Sequence, residues 1–76
     1  MKIFLFDRIA AGQKVGYDQL RSIVIVAENY TQAHLFIHEN VRDEGYRVWI
    51  NLPYKVLGEA AEGIEAGVVC RDVWEA

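Results

Sequence analysis

The stretch Arg21-Ser-Ile-Val-Ile-Val-Ala27, which runs directly into Glu28-Asn-Tyr-Thr-Gln-Ala-His-Leu-Phe-Ile-His-Glu-Asn40, decides the fold of this chain. Its first part is a run of β-branched residues bounded by charge, which predicts a strand that is apolar on both faces and therefore central in a sheet. In its second part the apolar spacing changes to the 3.6-residue period of a helix. The stretch therefore predicts a central strand that passes directly into a helix.

The helix is predicted to begin at Tyr30. Asn29 suits the N-cap position because its side chain can accept a hydrogen bond from the amide of Gln32, and the Gln32 side chain can reach back to complete a capping box. Residues three and four apart share a helix face. The stripe that should lie on the sheet consists of Tyr30, Ala33, Phe36 and Ile37.

Further strands are predicted on both sides of this unit, at residues 2–8, 17–27, 46–51, 54–58 and 68–74. The resulting order is strand, strand, helix, strand, short strand, strand. It predicts an α+β domain in which one helix packs across one face of a mainly antiparallel sheet of four or five strands. The 76 residues suffice for one modest core, so residues 1–76 are expected to form a single domain.

Cysteine content and apolar runs bear on the compartment. Cys70 is the only cysteine, so stability has to come from packing without a disulfide, which favours a cytoplasmic location. Cys70 alternates with valines and is expected to be a buried small hydrophobe. The N-terminal apolar run is too short for a signal peptide, and no run approaches the roughly 18 residues of a membrane span. We therefore expect no membrane association.

The charge is distributed unevenly. The net charge is -3, and residues 58–76 carry one basic residue against five acidic ones. Basic residues elsewhere are dispersed and balanced by acids, which argues against direct binding of nucleic acid. An acidic segment suits a basic protein partner, although an acidic solvated face also keeps a small domain soluble. Both interpretations stay open at this point.

No residue pattern in the chain predicts chemistry. His34 and His38 have the spacing at which two imidazoles can share a zinc ion, but Leu35 stands where a zinc protease has its glutamate, and a solvated helix face is favoured. Ser22 lies within a strand, away from any turn that would expose it for attack. We expect no catalytic residue, no metal site and no cofactor.

The aromatic residues outnumber those that one helix can cover, and some are expected on the uncovered face of the sheet, where they would mark an interface. They are Tyr17, Tyr46, Trp49, Tyr54 and Trp74. Together with the acidic segment they give five candidate contact residues: Glu59, Glu62, Glu65, Tyr54 and Trp49.

Three segments carry a resemblance to known proteins. They are Met-Lys-Ile-Phe-Leu-Phe at residues 1–6, Val-Ile-Val-Ala-Glu-Asn-Tyr-Thr-Gln-Ala-His at residues 24–34, and Leu-Gly-Glu-Ala at residues 57–60 followed by Gly-Val-Val-Cys-Arg at residues 67–71. In layout the chain resembles the small accessory proteins of bacteriophages and mobile elements, a group that includes several anti-CRISPR inhibitors. The resemblance implies a non-catalytic inhibitor in the bacterial cytoplasm that occupies a surface of a Cas effector subunit, in some cases the surface where DNA would bind. It supplies no functional residues.

The alternative is a small homodimeric structural or regulatory domain. Its interface would be the aromatic face or an edge strand, because a small sheet with open edges pairs readily with a second copy.

Overall fold

The computed structural model describes residues 1–73. Its strands are β1 (Lys2–Asp7), β2 (Leu20–Ala27), β3 (Tyr54–Glu59) and β4 (Gly67–Val73), and its helix is α1 (Tyr30–Asn40). The strands form one antiparallel sheet in the order β3-β1-β2-β4. The predicted α+β class, with one helix across one face of an antiparallel sheet, is confirmed.

The two central strands, β1 and β2, supply most of the buried side chains of the core. β2 is hydrogen-bonded to β1 on one side and to β4 on the other, so its predicted central position is confirmed. In the register, Phe4 lies opposite Ile25 and Phe6 opposite Ile23, and all four side chains are buried beneath α1. Burying each such side chain is worth roughly 1.5–3 kcal/mol. Packing on this face therefore decides that the helix forms.

The start of α1 is fixed by side-chain caps. The helix begins at Tyr30, and Asn29 Oδ1 accepts a hydrogen bond from the Gln32 amide at 2.9 Å, as predicted. The Gln32 side chain accepts from the Glu28 amide at 2.7 Å, one residue earlier than in a regular capping box. The face on the sheet includes Ala33 and Ile37, while Tyr30 is exposed and Phe36 only partly buried.

The strand predicted at residues 46–51 is wrong. Arg47–Trp49 is a short 3-10 helix, so the sheet has four strands in the described part of the chain. Gly45 and Asn51, one on each side of this segment, have positive φ angles of 71° and 62°, which bend the chain. Trp49 and Leu52, three residues apart, turn into the core, and Ile50 between them is exposed.

A buried arginine links the β1–β2 connection to the 3-10 helix. Arg8 is 2% exposed, and its Nε donates to Gln13 Oε1 at 2.8 Å while Nη1 donates to the Leu20 carbonyl at 3.0 Å. Its guanidinium lies over the Trp49 ring, 5.7 Å from the ring centre. The Gln13 side chain in turn donates to the Val48 carbonyl at 2.9 Å. The connection between the first two strands is therefore held on the core.

The face of the sheet opposite α1 carries aliphatic side chains at its centre. Leu5 and Val24 pair across the two central strands and are half-buried on this face, because side chains alternate along a strand. Some aromatic side chains were expected here, and for Tyr54 and Trp49 that expectation is wrong. Tyr54 pairs with Phe6 and therefore lies on the α1 side, and Trp49 is in the core. Trp74 lies outside the described residues.

Candidate functional site

The three predicted glutamates follow one another at the end of β3 and in the connection that crosses one end of the sheet to β4. Glu59 ends β3, and Glu62 and Glu65 follow in the turn that leads to β4; all three are exposed, with the Glu59 side chain 75% exposed. The turn is shaped by Gly63 at a φ of 89° and by a hydrogen bond from the Ile64 amide to the Ala61 carbonyl at 3.2 Å. We call Glu59, Glu62 and Glu65 the acidic edge.

Strand β3 extends this surface. It is an edge strand, and all six of its residues are exposed. Val56, Leu57 and the nearby Ile64 are among the exposed large hydrophobic residues of the molecule. Exposed apolar side chains beside carboxylates give the mixed composition found at protein–protein interfaces.

Trp49 is not a contact residue. Its exposed fraction is 0%, and it packs among the core residues under the Arg8 guanidinium. It was assigned to the surface because it was placed in a strand whose alternate residues would face solvent. The 3-10 turn instead directs the indole inward.

Tyr54 is at the surface as predicted, and it leads to a feature that the sequence did not predict. Its side chain is 43% exposed, and its ring centre lies 5.5 Å from that of Phe6 and 4.9 Å from that of Tyr30. A hollow of about 480 Å³ adjoins these rings and is lined by Tyr30, Asn51, Leu52, Pro53 and Tyr54.

A second hollow adjoins the first and shares Tyr30 and Asn51 with it. Its volume is about 460 Å³, and it runs along α1. Its lining residues are Tyr30, Thr31, His34, Leu35, His38, Tyr46, Ile50 and Asn51. We call the two hollows together the aromatic groove. None of the described residues that line it is a lysine, arginine, aspartate or glutamate.

His34 forms the floor of the aromatic groove. It is 8% exposed, so the predicted solvated face is wrong for His34, whereas His38 is exposed. Its Nδ1 hydrogen-bonds the Tyr46 hydroxyl at 2.6 Å, and its ring meets Phe6 edge-on at a centroid distance of 5.2 Å. The ring of Tyr30 covers it at 4.3 Å. Aromatic neighbours on three sides account for its burial.

Burial sets the protonation state of the aromatic groove. Loss of water lowers the pKa of His34 below its usual value, which favours a neutral imidazole. Burial, and secondarily the nearby phenols of Tyr46 and Tyr54, raises the pKa of Tyr30, which favours the neutral phenol. His34 and Tyr30, which form the floor and one wall of the groove, are therefore uncharged at neutral pH.

The lowered pKa of His34 predicts a pH-dependent stability. Above the unfolded-state pKa, about 6.5, the imidazole is neutral in both states and no stability is lost. As the pH falls below that value, the unfolded chain binds a proton that the folded chain does not, so the free energy of unfolding decreases until the pH passes the lower folded-state pKa. Urea unfolding midpoints between about pH 7.5 and pH 5 measure the decrease.

The matched control for this prediction is the exposed histidine. His34→Gln should flatten the decrease between pH 7.5 and pH 5, and His38→Asn should retain it. A His34→Gln protein with the same pH slope as the unmodified chain would show that other groups cause the decrease.

Cys70 lies at the surface of the sheet. Cys70 is exposed because it pairs with Val24 on the face away from α1, and this contradicts its predicted burial.

Within residues 1–73, no group of three or more histidine, cysteine, aspartate or glutamate side chains could hold a metal ion. In the same range no helix is long and apolar enough to cross a membrane.

The chain matches no protein-family model, and comparison with curated proteins and with solved structures finds no match.

Proposed function

We propose that this chain is a non-catalytic inhibitor that binds a protein surface of a bacterial CRISPR-Cas complex through the acidic edge and Tyr54. The observation that carries the proposal is the exposure of the whole of β3 together with the three glutamates that follow it. The layout of the chain, which resembles small phage accessory proteins, supplies the class of target. A cytoplasmic location in the bacterial host follows from that target.

Charge gives this surface its preferred partner. Protein surfaces that hold a nucleic-acid backbone are rich in lysine and arginine. The acidic edge presents three carboxylates to solvent, and Lys55 is the only basic residue of β3. An acidic protein surface docked on such a basic surface would exclude the phosphates that normally occupy it. Inhibition would then result from occupancy.

Co-purification tests the proposal. The tagged chain is mixed with a panel of purified Cas effector complexes, and both association and the DNA binding of each complex are measured. We expect one complex to co-elute with the chain and to lose DNA binding as the chain is added. Absence of association with every complex, together with unchanged interference in cells, would refute the proposal.

Charge reversal is expected to weaken that association. Replacing Glu62 and Glu65 by lysine should reduce affinity roughly tenfold in about 0.1 M salt, because exposed ion pairs are each worth about 0.2–1 kcal/mol and become repulsive contacts. Adding Glu59→Lys should enlarge the loss. The difference should shrink as salt shortens the screening length.

The control variant reverses Glu39 and Asp43, two exposed acids at the far end of α1, and changes the net charge by the same amount. It should leave affinity nearly unchanged. Equal losses in the two double variants would mean that overall charge, and not the acidic edge, attracts the partner.

A homodimer is the second candidate, favoured by the two edge strands. β3 and β4 are each paired on one side only in the described sheet. Both edges are irregular, however. The register of β3 skips Leu57 between Val56 and Gly58, and that of β4 shifts twice. Such irregularities discourage pairing of edges, so binding of another protein is preferred. A strictly monomeric chain in light scattering would eliminate the dimer.

A further inference from the structure

The aromatic groove concentrates ring faces on one side of the molecule. Tyr30 and Tyr54 lie 4.9 Å apart between ring centres, and His38 and Tyr46 lie 5.0 Å apart. Tyr30 and Tyr54 are both partly open to solvent. Leu35 and Ile50, two exposed apolar side chains, also line the groove. A connected set of exposed apolar side chains of this kind is typical of a binding site.

The electrostatics of the groove favour a cation. The face of an aromatic ring carries partial negative charge and attracts a lysine or arginine head group placed over it. None of the described residues that line the groove is a lysine or an arginine that could occupy these faces. The phenol oxygens of Tyr30 and Tyr54 and the amide oxygen of Asn51 add hydrogen-bond acceptors, and Tyr30 and Asn51 line both hollows.

Strand β3 links the groove to the acidic edge. Tyr54 lines the groove and is also the first residue of β3, whose last residue is Glu59. A basic protein surface attracted by the acidic edge would therefore bring lysine and arginine side chains to the groove. Arginine fits it better, because its planar guanidinium stacks on rings, is weakly hydrated and carries several donors. The aliphatic stem of the arginine would pack against Leu35 or Ile50.

We infer that the aromatic groove receives an arginine side chain of the basic partner, with the guanidinium over the ring faces of Tyr30 and Tyr54. This inference rests on the proposed function for the source of the arginine. The affinity of the groove for a guanidinium can be measured without the partner.

A peptide titration tests the inference. Uniformly ¹⁵N- and ¹³C-labelled chain is titrated at pH 7.5 with the capped peptide Gly-Arg-Gly and with matched peptides in which citrulline or leucine replaces arginine. Citrulline keeps the shape of arginine and removes its charge. We expect shifts confined to the residues that line the groove, with the arginine peptide binding about three- to fivefold more tightly than the citrulline peptide, as a cation over exposed rings predicts.

Two variants locate the effect. Tyr54→Leu removes a ring face and keeps an apolar side chain, so it should abolish the preference for arginine over citrulline. Leu35→Ala should weaken both peptides equally and retain the preference. Because both residues are exposed, the variants should fold, and the amide spectrum of each checks this.

Three results would overturn the inference: equal binding of arginine and citrulline, tighter binding of leucine, or no shifts in the groove with any peptide. The titration contains no Cas subunit, so its failure is distinct from failure of the proposed function. A groove that prefers arginine, in a chain that binds no Cas complex, would refute the proposed target and support the inferred chemistry of the groove.

Discussion

Replacing Trp49 by alanine is expected to remove about half of the stability of the domain. Trp49 is fully buried, and truncating a large aromatic side chain in a core costs about 3–5 kcal/mol because of lost burial and the cavity that remains. A chain of 76 residues has a total stability of roughly 4–11 kcal/mol at the usual value per residue. At the middle of these ranges, the urea midpoint, followed by far-ultraviolet circular dichroism, should therefore fall by about half.

The neighbouring residue provides the control. Ile50 is next in the chain and exposed, and Ile50→Ala should change stability by no more than about 0.5 kcal/mol. An unchanged midpoint for Trp49→Ala would mean that the 3-10 turn does not bury the indole and that Trp49 is available at the surface after all.

The unit formed by β2 and α1 could be predicted from the sequence because local signals decide it. The change of apolar period locates the boundary between strand and helix, and the Asn29 side chain fixes the first turn of α1. The exposure of Glu59, Glu62 and Glu65 could also be predicted, since glutamates are very rarely buried.

The face of a strand on which each side chain lies was predicted less well where tertiary contacts override the local period. Simple alternation places Val68 and Cys70 on one face of β4. The register shift between Val24 and Ile25 puts Val68 opposite Ile25 and Cys70 opposite Val24, so the two residues lie on opposite faces. A bulge of this kind inserts one extra residue and reverses the alternation. A single sequence gives no signal for its position.

The aromatic groove had a local signal that was interpreted differently. Tyr30, His34 and His38 recur every four residues and share one face of α1. His34 and His38 were predicted on a solvated face, and Tyr30 on the stripe that faces the sheet. The segment that contains Tyr46 folds back on α1 and hydrogen-bonds His34, which buries the middle of this row and leaves the aromatic groove beside Tyr30. This return contact depends on the 3-10 turn that was predicted as a strand.

No pattern in the sequence predicts the burial of Arg8. Its replacement is expected to cause the second large loss of stability. In Arg8→Met the stem is kept and the guanidinium is lost, which leaves the Leu20 carbonyl and Gln13 Oε1 without their donor. An acceptor left unsatisfied in a buried position costs about 1–3 kcal/mol. We expect a loss of roughly 2–4 kcal/mol in urea unfolding, and faster hydrogen exchange at the Gln13 amide, which donates to the Arg8 carbonyl at 2.9 Å.

Arg21→Met is the matched control for Arg8→Met, and it separates a buried cation from a surface one. Arg21 pairs with Asp72 at 2.7 Å, but both side chains are partly open to solvent, and such pairs contribute no more than about 1 kcal/mol. A buried charge can often be replaced by an apolar side chain at little cost when its partners are also replaced. In Arg8→Met a backbone carbonyl remains, and it cannot be replaced. If the two variants unfold at the same urea concentration, the guanidinium of Arg8 does not hold the β1–β2 connection to the core.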